Sequence, residues 1–181
     1  MIDHFHRKEN PMKPVFLARC ALFSALMCIC AWISIPLGGV VFTMQSFALF
    51  LALLVLGGKG ATVSVFVYLA LGAVGLPVFS GFRGGFGALL GVTGGFLWGF
   101  AIGSILYWLL TAFLGEKWRL LSLIICILCV YLCGTIWYFV YAPGGILAIL
   151  AQSVLPYLLP DAVKLLLALW IARRLPKLEN K

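Results

Sequence analysis

The chain has 181 residues, 64% of them hydrophobic and 10% charged, with a mean hydropathy of +1.15. An ordinary soluble domain is about a quarter charged and about half apolar, so these proportions exclude one and describe a polytopic membrane protein filled by spans. The net charge of +8 comes from basic residues in short segments between apolar runs, the pattern that places those segments in the cytoplasm, and no segment combines basic and base-stacking residues as a nucleic-acid surface would.

Residues 1–14 form a polar, basic leader that contains His4 and His6, to which no role attaches. The apolar run at 15–35 is about as long as a bilayer requires and lacks a small-x-small cleavage site, so it is expected as a first span rather than a signal peptide. Within it Ala21 and Ala25 form a small-xxx-small ridge, a surface on which another helix can pack closely, whether inside the bundle or in a partner. Pro36-Leu37-Gly38-Gly39 ends the span.

Residues 40–47 lead into a second span that ends near Leu56, with Thr43 and Gln45 at its mouth. These uncharged groups can orient a polar ligand or cap and join helices. Gly57-Gly58-Lys59-Gly60 is a tight turn without the spacing of a phosphate loop. A third span at 61–76 stops at Gly75-Leu76-Pro77, and the glycine-dense stretch 78–87 that follows carries Ser80 and Arg83. Irregular backbone at membrane depth is tolerated where it is buried in protein or lines a cavity, so this loop is expected to touch ligand.

The fourth span, 89–114, carries Gly91, Gly95, Gly99 and Gly103 at intervals of four, a groove for close helix packing. A charged turn at 115–119 leads to a fifth span at 120–141. Its Cys126, Cys129 and Cys133 share a face but have no histidine or carboxylate beside them to complete a metal site, and with Cys20, Cys28 and Cys30 they are expected as packing residues. Ala142-Pro143-Gly144-Gly145 breaks the span, and a short apolar segment at 146–153 leads to the sixth.

That sixth span opens with Leu155-Pro156-Tyr157-Leu158-Leu159-Pro160-Asp161-Ala162-Val163-Lys164. Charges inside apolar segments are expensive unless paired or facing a water-filled cavity. Residues i and i+3 lie about 60° apart on one helical face, so Asp161 and Lys164 can present a carboxylate and an ammonium to one small volume, as a binding site or as a lock between helices. Pro160 fits a first helical turn, which places the helix start near the pair. Residues 15–175 are thus expected as one membrane domain, between the leader and a basic tail at 176–181.

Six spans put Arg7, Lys8, Lys13, Arg19, Lys59, Lys117, Arg119, Arg173, Arg174, Lys177 and Lys181 on one side, which is then cytoplasmic. The other side carries Arg83, Asp161 and Lys164, from two segments far apart in sequence. Charges isolated in this way on the outer face point to a binding site.

At these residues the sequence resembles the BioY family, the biotin-binding S components of energy-coupling factor (ECF) transporters. Phe42-Thr43-Met44-Gln45-Ser46-Phe47, Gly72-Ala73-Val74-Gly75-Leu76-Pro77-Val78-Phe79 with Gly84-Gly85, Gly91-Val92-Thr93-Gly94-Gly95-Phe96, and Asp161 to Lys164 with Arg173-Arg174 carry the resemblance in order. Val41, Val92, Phe96 and Pro160 depart from the usual family residues. The resemblance implies an all-α integral membrane bundle of six helices with both termini cytoplasmic, taking up biotin from outside without a cofactor, metal or enzymatic step. It also implies partners, a transmembrane coupling subunit and two cytoplasmic ATPases, with Ala21 and Ala25 as docking candidates.

Biotin has a ureido head with two N–H donors and a carbonyl, an apolar ring system and a carboxylate tail. Gln45, Ser80, Arg83, Tyr157, Asp161 and Lys164 are the expected ligand-binding residues: Asp161 can accept from ureido N–H, Lys164 can donate to the carbonyl or neutralise Asp161, and Arg83 can pair the tail. Two other classes compete. A self-sufficient secondary transporter commonly shows internal repeats, and none is convincing here; an enzyme would need a nucleophile, metal cluster or cofactor motif beside the pair, and the sequence displays none.

Overall fold

The computed structural model describes residues 14–36, 41–141 and 145–175. The leader with its histidines and Arg7, Lys8 and Lys13, the glycines of the first breaker, residues 142–144 and the tail at 176–181 lie outside the described residues. The fold is helical: α1 (Pro14–Trp32), α2 (Gln45–Ala73), α3 (Phe86–Leu89), α4 (Gly94–Leu114), α5 (Arg119–Tyr141), α6 (Ile146–Ser153) and α7 (Leu155–Arg174), with a single 3-10 turn before α5. Among the described residues five helical stretches are long and apolar enough to cross a membrane, and the protein is a multi-pass membrane protein.

A two-stranded antiparallel ribbon, β1 (Ser34–Pro36) with β2 (Val41–Thr43), joins α1 to α2 and pairs Ser34 with Thr43. The first span was expected to run to residue 35, with a loop from Pro36, so the ribbon departs from both expectations. Val41 and Thr43 are β-branched and suit a ribbon, but its partner strand is too short to announce itself.

Helix α2 is the post around which the others assemble, with 78% of its most apolar window buried against 17–44% in the other long helices. It is not straight. Twenty-three residues of continuous helix would separate Gln45 from Tyr68 by about 34 Å, yet Gln45 Nε2 donates to Tyr68 Oη. The reversal falls at Gly57, whose φ of 73° and ψ of 178° suit glycine and strain any L side chain. Two arms, 45–56 and 58–73, therefore lie back to back where a turn was expected.

Helix α1 runs beside the second arm: Ser24 Oγ lies 2.8 Å from Ser64 O, Cys20 Sγ 3.5 Å from Gly60 O, and Trp32 Nε1 donates to Pro77 O at 2.8 Å. Helix α4 crosses at Gly58, where a Cβ would come within 2.4 Å of Trp108 Cα, and Tyr107 Oη donates to Leu53 O at 3.2 Å.

The expected glycine face of α4 is a packing surface for α5. A Cβ on Gly95 would lie 2.1 Å from Trp137 Cβ and one on Gly103 3.0 Å from Cys126 Sγ, while Gly134 of α5 receives the Phe96 ring in return. Gly91 precedes the helix and instead accepts from Trp137 Nε1 at 3.0 Å through its carbonyl. The element expected to begin at residue 89 begins at Gly94, because the chain first makes the single turn of α3 and then bends through Gly91, Val92 and Thr93.

A second boundary also moves. Helix α7 begins at Leu155, with Pro156 in its first turn, so Pro160 lies inside the helix and not at its head. Both prolines could have held the first-turn position; Pro156 holds it, and Pro160 removes one interior N–H that would have bonded to the carbonyl four residues earlier. Asp161 and Lys164 consequently sit in the second and third turns, deeper along the helix.

Candidate functional site

The two charges meet where α7 passes the start of α2. Lys164 Nζ lies 2.7 Å from Asp161 Oδ1 and is 5% exposed. An ammonium in such a place needs every proton satisfied, and three acceptors within reach are Asp161 Oδ1, Thr43 O at 2.7 Å and Ser46 Oγ at 3.0 Å. The ribbon supplies a further stabilising group, the Phe42 ring, whose centroid is 3.9 Å from Nζ.

Asp161 is held from three helices. Its Oδ1 accepts from Ser46 Oγ at 2.8 Å as well as from Lys164, and its Oδ2 accepts from Tyr131 Oη of α5 at 2.6 Å. Charge-assisted bonds of this kind are roughly twice as strong as neutral ones and fix geometry as well as charge. Beside them Thr43 Oγ1 donates to Gln45 Oε1 at 3.1 Å, and Gln45 passes the chain on to Tyr68.

The loop before α3 closes the other wall. Gly72 has no Cβ because one would lie 1.9 Å from Phe79 Cζ, so the glycine lets the Phe79 ring reach the bundle interior and meet Tyr68 edge-on at 5.4 Å. Ser80 is buried next to it, and Arg83 ties the loop with Nε donating to Ser80 O at 3.0 Å. Phe82, in the left-handed region at φ 56°, stacks on Trp32 at 5.3 Å and fastens the loop to the end of α1.

These elements enclose a cavity of about 80 Å³. Gln45, Ser80, Tyr157, Asp161 and Lys164, all expected from sequence, line it together. Arg83 is exposed and stands outside the wall, behind Ser80. Ala21 and Ala25 are also exposed, on a face of α1 turned away from the helices it packs against. Sequence reasoning passed over Ser46 and Tyr131, which hold Asp161, and over Phe96 and Phe100 as cavity-lining residues. Tyr131 is one of several hydroxyl-bearing residues in α5, beside Ser122, Thr135, Tyr138 and Tyr141, so the sequence held no signal that singled it out.

A second, larger recess of about 530 Å³ opens between α5, α6 and α7, with Leu132, Ile136, Leu150 and Leu158 among its apolar walls. Tyr131 lines both spaces.

A helical membrane bundle with a desolvated polar cluster facing aromatic walls at one end belongs to the class of membrane proteins that bind a small amphipathic molecule. The chain is a member of the BioY family, whose profile matches residues 6–181. It is 41% identical to the biotin transporter BioY of Thermotoga maritima over 90% of this chain and 96% of that protein, and 40% identical to the probable biotin transporter BioY of Pyrococcus horikoshii over 91% and 98%. It also superposes with a TM-score of 0.81 on the crystal structure of the S-component for biotin from an ECF-type ABC transporter, at 28% identity over 91% of this chain and 92% of the other. These relatives are transporters.

Proposed function

We propose that this protein captures biotin from the outside and delivers it inward as the S component of an ATP-driven ECF transporter. The observation that carries the chemistry is the Asp161–Lys164 pair, a buried lysine and a partly buried aspartate held among Ser46, Tyr131 and the Phe42 ring at the wall of the cavity. A ureido group offers N–H donors to Asp161, aromatic side chains such as Phe79, Phe96 and Tyr157 cover the rings, and Arg83 outside Ser80 meets the tail carboxylate at the mouth. Gln45 and Ser80 contribute neutral polar contacts.

The membrane domain spans residues 15–175 and crosses six times, counting the two arms of α2 separately. The arms are about 18 and 24 Å long, shorter than a hydrocarbon core of about 30 Å, and the β1–β2 ribbon and the loop before α3 complete their passage. Both termini are then cytoplasmic, a reading supported by Arg19, Lys59, Lys117, Arg119, Arg173 and Arg174, which six crossings put on the side away from Asp161, as the positive-inside rule favours. The basic leader and tail belong to that same side. Exposure of Ala21 and Ala25 supports docking of a transmembrane coupling subunit on α1, with two cytoplasmic ATPases supplying the energy. The chain itself performs no chemistry on its ligand.

Uptake into proteoliposomes tests this. Biotin is expected to accumulate when the coupling subunit, both ATPases and ATP are present, and accumulation by the chain alone under an ion gradient would favour a secondary transporter instead.

A further inference from the structure

Tyr131 lies on α5, is 9% exposed, and donates to Asp161 Oδ2 at 2.6 Å. A carboxylate offers about four acceptor positions. Ser46 and Lys164 take both on Oδ1, and Tyr131 takes one on Oδ2. One acceptor position on Oδ2 is left for a molecule in the cavity that Asp161 lines.

The setting of this bond matters as much as its length. Helix α5 packs mainly on α4 and helix α7 mainly on α2, with little contact between α5 and α7 themselves, and the apolar recess between them reaches the back of Tyr131. The Tyr131 ring is the wall between recess and cavity, and its hydroxyl is a polar tie across the gap. The recess behind it is mostly apolar, and its one other hydroxyl among the lining residues, Thr135, is engaged with Ser153 Oγ at 3.4 Å.

We infer that Tyr131 is a positioning and specificity-determining residue: by occupying one lone pair of Asp161 Oδ2 it orients the carboxylate so that a single ligand N–H is read at a fixed place. The inference rests on the biotin reading above. Without the hydroxyl one of the three bonds that hold the carboxylate plane is gone, so the plane turns more freely about its last torsion, a motion that carries both oxygens together and takes Oδ2 off its aim. Affinity for a ligand with an N–H at that place falls, whereas a ligand lacking that N–H has nothing to lose.

The test is an equilibrium titration of the full detergent-purified chain and of Tyr131→Phe with biotin and with the two derivatives methylated at either ureido nitrogen. Phenylalanine keeps the ring between cavity and recess, and a thermal unfolding midpoint confirms folding. The unsubstituted chain is expected to prefer biotin over both derivatives. Tyr131→Phe is expected to lose about three- to tenfold in biotin affinity, as one net hydrogen bond predicts. For the derivative blocked at the nitrogen that faces Asp161, its affinity should change by less than about twofold, so discrimination shrinks for that isomer. Equal weakening toward all three ligands would make Tyr131 merely structural, and unchanged biotin affinity would remove it from recognition; either result overturns the inference. Failure of the unsubstituted chain to bind biotin is a separate outcome, which overturns the functional reading on which the inference rests.

Discussion

Replacing Asp161 by asparagine perturbs the site at the atom on which most of its bonds converge. The shape of the side chain is kept, but the anion that accepts from Lys164 at 2.7 Å, Ser46 at 2.8 Å and Tyr131 at 2.6 Å becomes an amide with one acceptor and one donor atom. If its oxygen stays with Lys164 and Ser46, its NH2 faces the Tyr131 hydroxyl, and the Lys164 ammonium is left buried without a counter-charge. A hydrogen bond to a charged group contributes about 1.5–3 kcal/mol, which predicts biotin binding weaker by about ten- to a hundredfold. Lys164→Met should weaken binding as well, since it strands the Asp161 carboxylate in the same low-dielectric place. The assay is a biotin titration of each variant that elutes as a folded species in size-exclusion chromatography. Wild-type affinity in both variants would show that the pair only locks α7 to α2, and the assignment of the cavity as the ligand site would fall with it.

Gly72→Val should displace the Phe79 ring, because even a Cβ would lie 1.9 Å from its Cζ; a lowered unfolding midpoint together with weakened biotin binding is expected, and unchanged values would contradict the packing described. At Gly57, where φ is 73°, substitution by alanine should destabilise the fold by about 1–3 kcal/mol, visible as a lower unfolding midpoint. Ala25→Arg places a bulky charge on the exposed face of α1 and should abolish co-purification with the coupling subunit while biotin affinity stays within about twofold, the surface being far from the cavity. Lys117→Met, in the turn at the other end of the bundle, should leave the same titration unchanged.

The parts of this protein that were legible in sequence are those governed by local cost or spacing. Two charges three residues apart in an apolar run had to be paired, and a glycine every fourth residue had to meet a close neighbour; α5 is that neighbour at Gly95, Gly99 and Gly103. The start of α7 was misplaced because Pro156 and Pro160 both satisfy the same first-turn rule, and nothing local ranks them. Tyr131 and Ser46 were passed over for a different reason. They reach Asp161 from 30 and 115 residues away in sequence, and a hydroxyl among several others in its segment carries no sign of its partner. Arg83 shows the opposite limit: its charge was conspicuous, yet the backbone turn at Phe82 and the bonds to Ser80 hold it outside the wall.

The central claim is that the Asp161 cavity recognises biotin in the chain on its own. Equilibrium titration of the detergent-purified protein with biotin, beside thiamine and riboflavin as ligands of similar size but different polar pattern, tests it most directly. Saturable one-site binding of biotin with at least about a hundredfold preference over either control, a difference of about 2.7 kcal/mol, is the predicted result. Comparable or tighter binding of thiamine or riboflavin would contradict it.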